Sequence, residues 1–127
     1  MMNRLLITGA AGGLGAEMRT RLAPLAKTLR LSDVAEMGPA APHEEIVSCD
    51  LGDRAAVADL DEGCDGIVHF GGISTEQPWD PILNANIQGV FNLYEAARLH
   101  AKPRILFASS NHATGFYRQN ERIDNTV

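Results

Sequence analysis

The sequence predicts an α/β fold, a doubly wound parallel sheet covered by helices, and three observations carry that expectation. Short apolar segments alternate with longer stretches of helical periodicity along the 127 residues. The strand-like segments are apolar throughout instead of alternating in polarity, as expected for strands buried on both faces of a parallel sheet. A glycine-rich turn, "TGAAGGLG", sits where the first such strand meets the first helix. Right-handed crossovers between parallel strands would then place helices on both faces.

Each element has its own justification. Residues 4–8 form the first expected strand, and residues 14–26 the helix after the glycine turn, with Pro24 placed to shorten or bend its end. A second strand is expected at 28–32, followed by a loop carrying Gly38, Pro39 and Pro42. The third is expected at 45–49, and Asp53 is a candidate N-cap for a short helix ending near Leu60. Residues 66–70 give a fourth strand. A long helix is expected over 81–100, with Ile82, Ala85, Asn86, Val90, Leu93, Ala96 and Ala97 broadly on one face. Pro103 punctuates before a fifth strand at 104–109. The stretch after Gly115 is polar and aperiodic, so the sheet is expected to be incomplete at its C-terminal end.

Length and composition fit one domain that buries roughly two-thirds of its unfolded surface. Hydrophobic residues make up 45% and charged residues 21%, which argues for a globular chain and against disorder. Sixteen acidic side chains outweigh 11 basic ones, and no Lys or Arg block stands out. Neither a nucleic-acid partner nor an anionic membrane is therefore expected. Cys49 and Cys64 lack metal-ligand spacing, so no metal site is expected and the thiols suit a reducing compartment. The run Leu5-Leu6-Ile7 is too short for the core of a signal peptide, and nothing approaches a membrane span. These features lead to the expectation of a cytoplasmic protein.

The glycine turn carries the first chemistry. Gly9, Gly12 and Gly15 recur at three-residue spacing, with Gly13 between them. In such turns the first glycine permits the bend, the second lets backbone approach a pyrophosphate, and the third lets helix and strand pack closely. Free N–H groups of the helix N-terminus then face the phosphates. A turn with no ligand would look the same if the motif stood alone. Asp33, however, follows the second strand, 24 residues after Gly9, where a carboxylate can accept both ribose hydroxyls of an adenosine. Asp50 and Leu51 follow the third strand, where an acid and an apolar side chain could flank an adenine. The carboxylate of Asp33 would repel a 2′-phosphate, so NAD is expected over NADP, with Arg30 the side chain that argues the other way.

At this point the sequence resembles the extended branch of the short-chain dehydrogenase/reductase superfamily, whose fold is Rossmann-like. The matching pieces are "TGAAGGLG", "CDL", "GIVHFGG", "NIQGVFNLYEAA" and "RILFASSN", spanning Leu5 to Asn111. Longer stretches, among them "GCDGIVHFGGIS" and "FASSNHATGFY", are similar to the bacterial uronate dehydrogenases. Those enzymes oxidise C1 of galacturonate or glucuronate with NAD to an aldarolactone. The resemblance implies that Gly9, Gly12, Gly13, Leu14 and Gly15 surround the pyrophosphate, with Asp33 on the ribose. It puts Asp50 and Leu51 on the adenine, and Phe70, Gly71, Gly72 and Ile73 along the path to the nicotinamide. Asn86 would support the active-site end of the sheet. Ser74, Ser110, Asn111 and His112 would face a small-molecule sugar acid, Ser110 being the catalytic serine that hydrogen-bonds the reacting oxygen. The oligomeric state stays open, a homo-oligomer of the full-length form being one option.

Plainer roles exist for the same residues. Ser109 and Ser110 could cap a loop, Asn111 could take a left-handed turn, and His112 could simply face solvent. His69 is expected to be a hydrogen-bonded core residue, and Pro78 and Trp79 to close a loop over the site. The superfamily's chemistry also needs a Tyr-x-x-x-Lys pair, which is missing here: Tyr94 precedes Arg98 and Tyr117 precedes Glu121 at that spacing. A chain truncated before that pair is the expectation, with the pair arriving shortly beyond Val127. Residues 1–127 would then be the cofactor-binding domain, inactive alone for want of its general base. Alternative readings are a nucleotide-sugar epimerase or dehydratase of the same branch, or a dinucleotide-binding module without chemistry. Against the former, "SSNHATG" lacks the Tyr-Gly turn that many epimerases show after Ser-Ser.

Overall fold

The computed structural model describes residues 1–100 and 103–124. Five parallel strands form one sheet: β1 (Met2–Thr8), β2 (Ala26–Asp33), β3 (Glu44–Ser48), β4 (Gly66–His69) and β5 (Arg104–Phe107). Their order is β3-β2-β1-β4-β5, so the chain winds one way from β1 to β3 and returns to the other side of β1 with β4. That reversal creates a crevice at the carboxyl ends of β1 and β4, the place where open α/β sheets bind ligands. Register fixes what meets there. Thr8 pairs with Ser32 on one side and His69 on the other, and His69 pairs with Phe107.

Both faces of the sheet are buried along β1 and β4, which explains their unbroken apolar runs, whereas β5 is largely exposed. Leu6 points into one cluster with Val57, Leu60, Ile67 and Leu93. Its neighbours Leu5 and Ile7 point into the other, with Leu29, Leu31 and Val68. Successive strand residues alternate faces, so β1 feeds both cores. Burying each such side chain contributes about 2 kcal/mol. On the first face lie α2 (Arg54–Asp61) and α4 (Gly89–Leu99), which supply Val57, Leu60 and Leu93. Asp53 caps α2 as anticipated, its carboxylate accepting from the amides of Ala55 and Ala56.

Three boundaries differ from expectation, each for a physical reason. Helix α1 (Gly13–Leu22) ends before Pro24, which sits in a 3₁₀ turn (Ala23–Leu25), and Ala26 already belongs to β2. Strands β4 and β5 stop at His69 and Phe107, where the chain leaves the ladder for the segments that line the crevice. The long helix is three consecutive pieces: α3 (Trp79–Ile82), a π-helical turn (Leu83–Gln88) and α4. A π turn widens the helix locally and shifts the face that follows it. Gly89, Asn92, Leu93, Ala96 and Ala97 are therefore the buried set, while Ile82, Ala85, Asn86 and Val90 are half-buried.

The loop between β2 and β3 is tied down by one arginine. Arg19 on α1 donates to the Glu44 carboxylate at 2.8 and 2.6 Å and to the carbonyls of Met37 (2.8 Å) and Pro39 (2.7 Å). Among the described residues no helix is long and apolar enough to cross a membrane.

Candidate functional site at the carboxyl edge of the sheet

A cleft of about 1290 Å³ runs along the carboxyl ends of the strands. Its floor begins at the glycine turn. Gly9 has φ +70°, and a Cβ there would lie 2.6 Å from the Phe70 carbonyl carbon, so only glycine fits. Gly15 packs against the same turn: a Cβ would sit 2.1 Å from the Gly9 carbonyl oxygen. Gly13, by contrast, opens α1 with nothing within 4 Å of where its Cβ would be. The result is a bare helix N-terminus facing the cleft, with Gly12, Gly13 and Leu14 in its wall.

At the end of β2 the Asp33 carboxylate accepts two backbone N–H bonds, from Ala11 to Oδ2 and from Ala35 to Oδ1, both at 3.0 Å. One acid thus clamps the glycine turn and lines the cleft. Arg30 points elsewhere. Its guanidinium bonds Glu45 at 2.8 Å and the carbonyls of Leu60 (2.8 Å) and Glu62 (3.1 Å). It takes no part in the cleft wall.

Past β3, Asp50 and Leu51 form the next stretch of wall. Leu51 is wedged between two glycines, since a Cβ on Gly71 or Gly89 would meet it at 2.6 or 2.7 Å. Buried Asn92 donates to the Leu51 carbonyl at 2.9 Å and holds this loop from below.

Beneath the crevice lies a polar knot that sequence reasoning assigned only in part. The Thr8 hydroxyl lies 2.6 Å from His69 Nδ1 and accepts the Gly71 N–H at 3.2 Å. His69 is 1% exposed and stacks on Phe107 with ring centroids 5.5 Å apart. Burial pulls its pKa down to about 4, which keeps it neutral near pH 7. It is a core residue as anticipated, although its ring also borders the cleft. The role of Thr8 was missed because it depends on the Thr8–His69 register, which no local pattern reveals.

The far wall is set by Asn86. Its Oδ1 accepts the Ile73 N–H at 2.7 Å and its Nδ2 donates to the Ile73 carbonyl at 2.8 Å. That two-point clamp fixes the segment after β4, where Phe70, Gly71, Gly72, Ile73 and Ser74 line the cleft. Opposite, Ser110 caps the 3₁₀ turn Asn111–Thr114. Its hydroxyl accepts the His112 N–H at 3.1 Å and lies 3.1 Å from His112 Nδ1. Ser109, Ser110 and His112 all border the cleft, so the capping role and the cleft position coincide. The side chain of Asn111 lies outside what is described. Pro78 precedes α3 and Trp79 opens it, 63% exposed, and neither reaches the cleft wall. The expected loop closure by these two residues is therefore corrected: they begin a helix instead.

Two asparagines came together here although sequence spacing separated them. Asn84 and Asn86 lie two residues apart, a spacing that puts α-helical side chains on different sides. Both lie in the π turn and both line the cleft.

Comparisons with known proteins agree with this geometry. Over 123 residues the chain is 63% identical to uronate dehydrogenase from Pseudomonas putida, covering 96% of this chain and 46% of that protein. Uronate dehydrogenase from Agrobacterium fabrum is 61% identical over 122 residues, again 96% of this chain and 46% of the relative. A crystal structure of a point mutant of uronate dehydrogenase from Agrobacterium tumefaciens complexed with NAD superposes with a TM-score of 0.94. It shares 59% identity and covers 100% of this chain and 48% of the other. Glucuronic acid dehydrogenase from Chromohalobacter salexigens gives the same TM-score, identity and coverage. The chain thus spans about half the length of the relatives it matches. The family model described as the NAD dependent epimerase/dehydratase family matches residues 5–126, and the chain belongs to that family.

Proposed function

We propose that the cleft holds NAD and that the chain forms the cofactor half of a dehydrogenase oxidising C1 of galacturonate or glucuronate to an aldarolactone. The observation that carries this reading is the pairing of a bare helix N-terminus at Gly13 with a carboxylate, Asp33, fixed at the end of the next strand. A pyrophosphate fits the first and a ribose diol the second. Asp50 and Leu51 would take the adenine, and the segment 70–73 would lead to the nicotinamide. The uronate dehydrogenase relatives at 61–63% identity support the substrate class.

When bound, NAD supplies the acceptor for a hydride. The chain's own residues bind and orient. Glycines at 12 and 13 leave room for phosphate oxygens against backbone N–H groups. Asn86 holds Ile73, and so the rim of the nicotinamide end, in one position. Neutral His69 adds no positive charge beneath the site. The Ser110 hydroxyl, at the mouth of the cleft, hydrogen-bonds the reacting oxygen of the sugar, with Ser74 and His112 facing its other hydroxyls. None of the 127 residues supplies a Tyr-x-x-x-Lys pair, so no proton acceptor is assigned within them.

The test is NADH formation by the full-length gene product with each uronic acid. Activity with either acid, reduced about a hundredfold or more by Ser110→Ala, supports the reading, since loss of an oxyanion-type donor costs about that much. Turnover of a nucleotide sugar without uronate oxidation would replace it with the epimerase reading.

A further inference from the structure

Asp50 has two neighbours whose arrangement goes beyond packing. Its Oδ1 accepts the Gly52 N–H at 2.8 Å and an Nδ2–H of Asn84 at 3.1 Å. The same Asn84 nitrogen lies 3.4 Å from Oδ2, so Oδ2 carries only this longer contact. An ionised carboxylate is an acceptor only, with about four lone-pair positions. With Oδ1 doubly engaged, Oδ2 is the oxygen left to accept from a ligand in the cleft that Asp50 and Asn84 both line.

Two features of the chain make this orientation specific. Asn84 reaches Asp50 from the π turn, where the widened helix also sends Asn86 to Ile73. Gly52 leaves the space in which the Asn84 amide rests: a Cβ at Gly52 would lie 2.0 Å from Asn84 Oδ1 and 2.5 Å from its Cγ. The asparagine and the glycine are therefore complementary, and the carboxylate depends on both.

We infer that Asn84, seated over Gly52, is a positioning residue that fixes the Asp50 carboxylate as an acceptor for the exocyclic amino group of the dinucleotide's base. The inference rests on the proposed NAD binding and deepens it. It makes base recognition depend on a residue of the π turn that need not touch the ligand. An acceptor held in place favours a base presenting an amine and disfavours one presenting a carbonyl at the same position, because two acceptors then face each other.

The experiment compares binding of NAD with binding of nicotinamide hypoxanthine dinucleotide, whose base carries a carbonyl in place of the amine. Calorimetric titrations use the full-length gene product as wild type, Asn84→Ala and Gly52→Ala. Wild type is expected to prefer NAD by about tenfold or more, the range of one hydrogen bond to a charged group. Both variants should lose most of that preference by weakening NAD binding more than analogue binding. Loss of general loop structure would weaken both ligands alike, so the ratio isolates the positioning role. The two variants disturb the pair from opposite sides, and either one that folds is enough to decide between the outcomes. A preference retained in the variants, or absent in wild type that binds NAD, overturns the inference. Wild type that binds neither dinucleotide overturns the cofactor reading itself.

Discussion

Replacing Gly13 or Gly15 by alanine should have opposite effects on stability, although the two glycines belong to one turn. At Gly13 the added methyl meets nothing within 4 Å, and the residue is the first of α1. Alanine there lowers the entropy of the unfolded chain and favours helix, so Gly13→Ala should stabilise the fold by about 0.5 kcal/mol. At Gly15 the methyl would meet backbone on three counts: Gly9 O at 2.1 Å, Ala10 Cα at 2.6 Å and Gly9 C at 2.8 Å. Backbone atoms cannot swing aside as a flexible side chain can. The helix must lift by about 1 Å, and Gly15→Ala should cost about 3 kcal/mol, a large part of a domain's net stability. Binding should not follow stability. The Gly13 methyl would occupy the space proposed for the pyrophosphate, so the more stable variant should bind NAD about tenfold or more weakly. Denaturant unfolding and calorimetric titration of the full-length gene product read the two quantities separately. Gly13→Ala that is destabilised like Gly15→Ala, or that binds NAD as wild type does, would refute the reasoning.

Three further outcomes are expected. Thr8→Val leaves the buried His69 ring nitrogen and the Gly71 N–H without their shared hydroxyl, and should cost about 2 kcal/mol in denaturant unfolding. A loss below about 0.5 kcal/mol would mean that water replaces it. His69 makes stability depend on pH. Its folded pKa of about 4 lies below the ordinary 6.5, so between these values the unfolded chain binds more protons. This contribution is complete above pH 6.5 and falls by about 3 kcal/mol as the pH drops to 4. The non-titrating His69→Asn should flatten that slope, and an unchanged slope would contradict the assignment. Arg19→Met removes the cation beside the Glu44 carboxylate, which is only 4% exposed and keeps the Ala41 N–H, and frees the loop after β2. About 3 kcal/mol should be lost, recovered in part by adding Glu44→Gln, and equal stability of the single and double variants would argue against a buried pair.

How much of this was legible in the sequence depends on the range of the interaction. The fold class followed from local signals, because apolar runs such as Leu5–Ile7 and Ile67-Val68 need cover on both faces whatever their neighbours. The glycine turn, the Asp53 cap and the position of Asp33 were equally local. Loop closure by Trp79 failed because Asp80 and Pro81 suit the first turn of a helix better than a lid. The face of the long helix was misplaced for another reason. A π turn changes the period midway, and a single 3.6-residue stripe cannot represent it. Asn84 was overlooked on the same ground, and Thr8 because its partner His69 lies 61 residues away and meets it only through strand pairing. At Ser110 the cap and the cleft position coincide, since the bond that shapes the turn also sets the hydroxyl at the cleft.

The proposed cofactor site stands or falls most directly on one titration. Both oxygens of Asp33 are held by backbone N–H groups, so its negative charge cannot swing away from a 2′-phosphate, and Arg30 is committed elsewhere. The full-length gene product should therefore bind NAD about tenfold or more tightly than NADP, and Asp33→Asn should narrow that gap by relieving the repulsion. Equal affinities in wild type, or a preference for NADP, would contradict the placement of the ribose at Asp33.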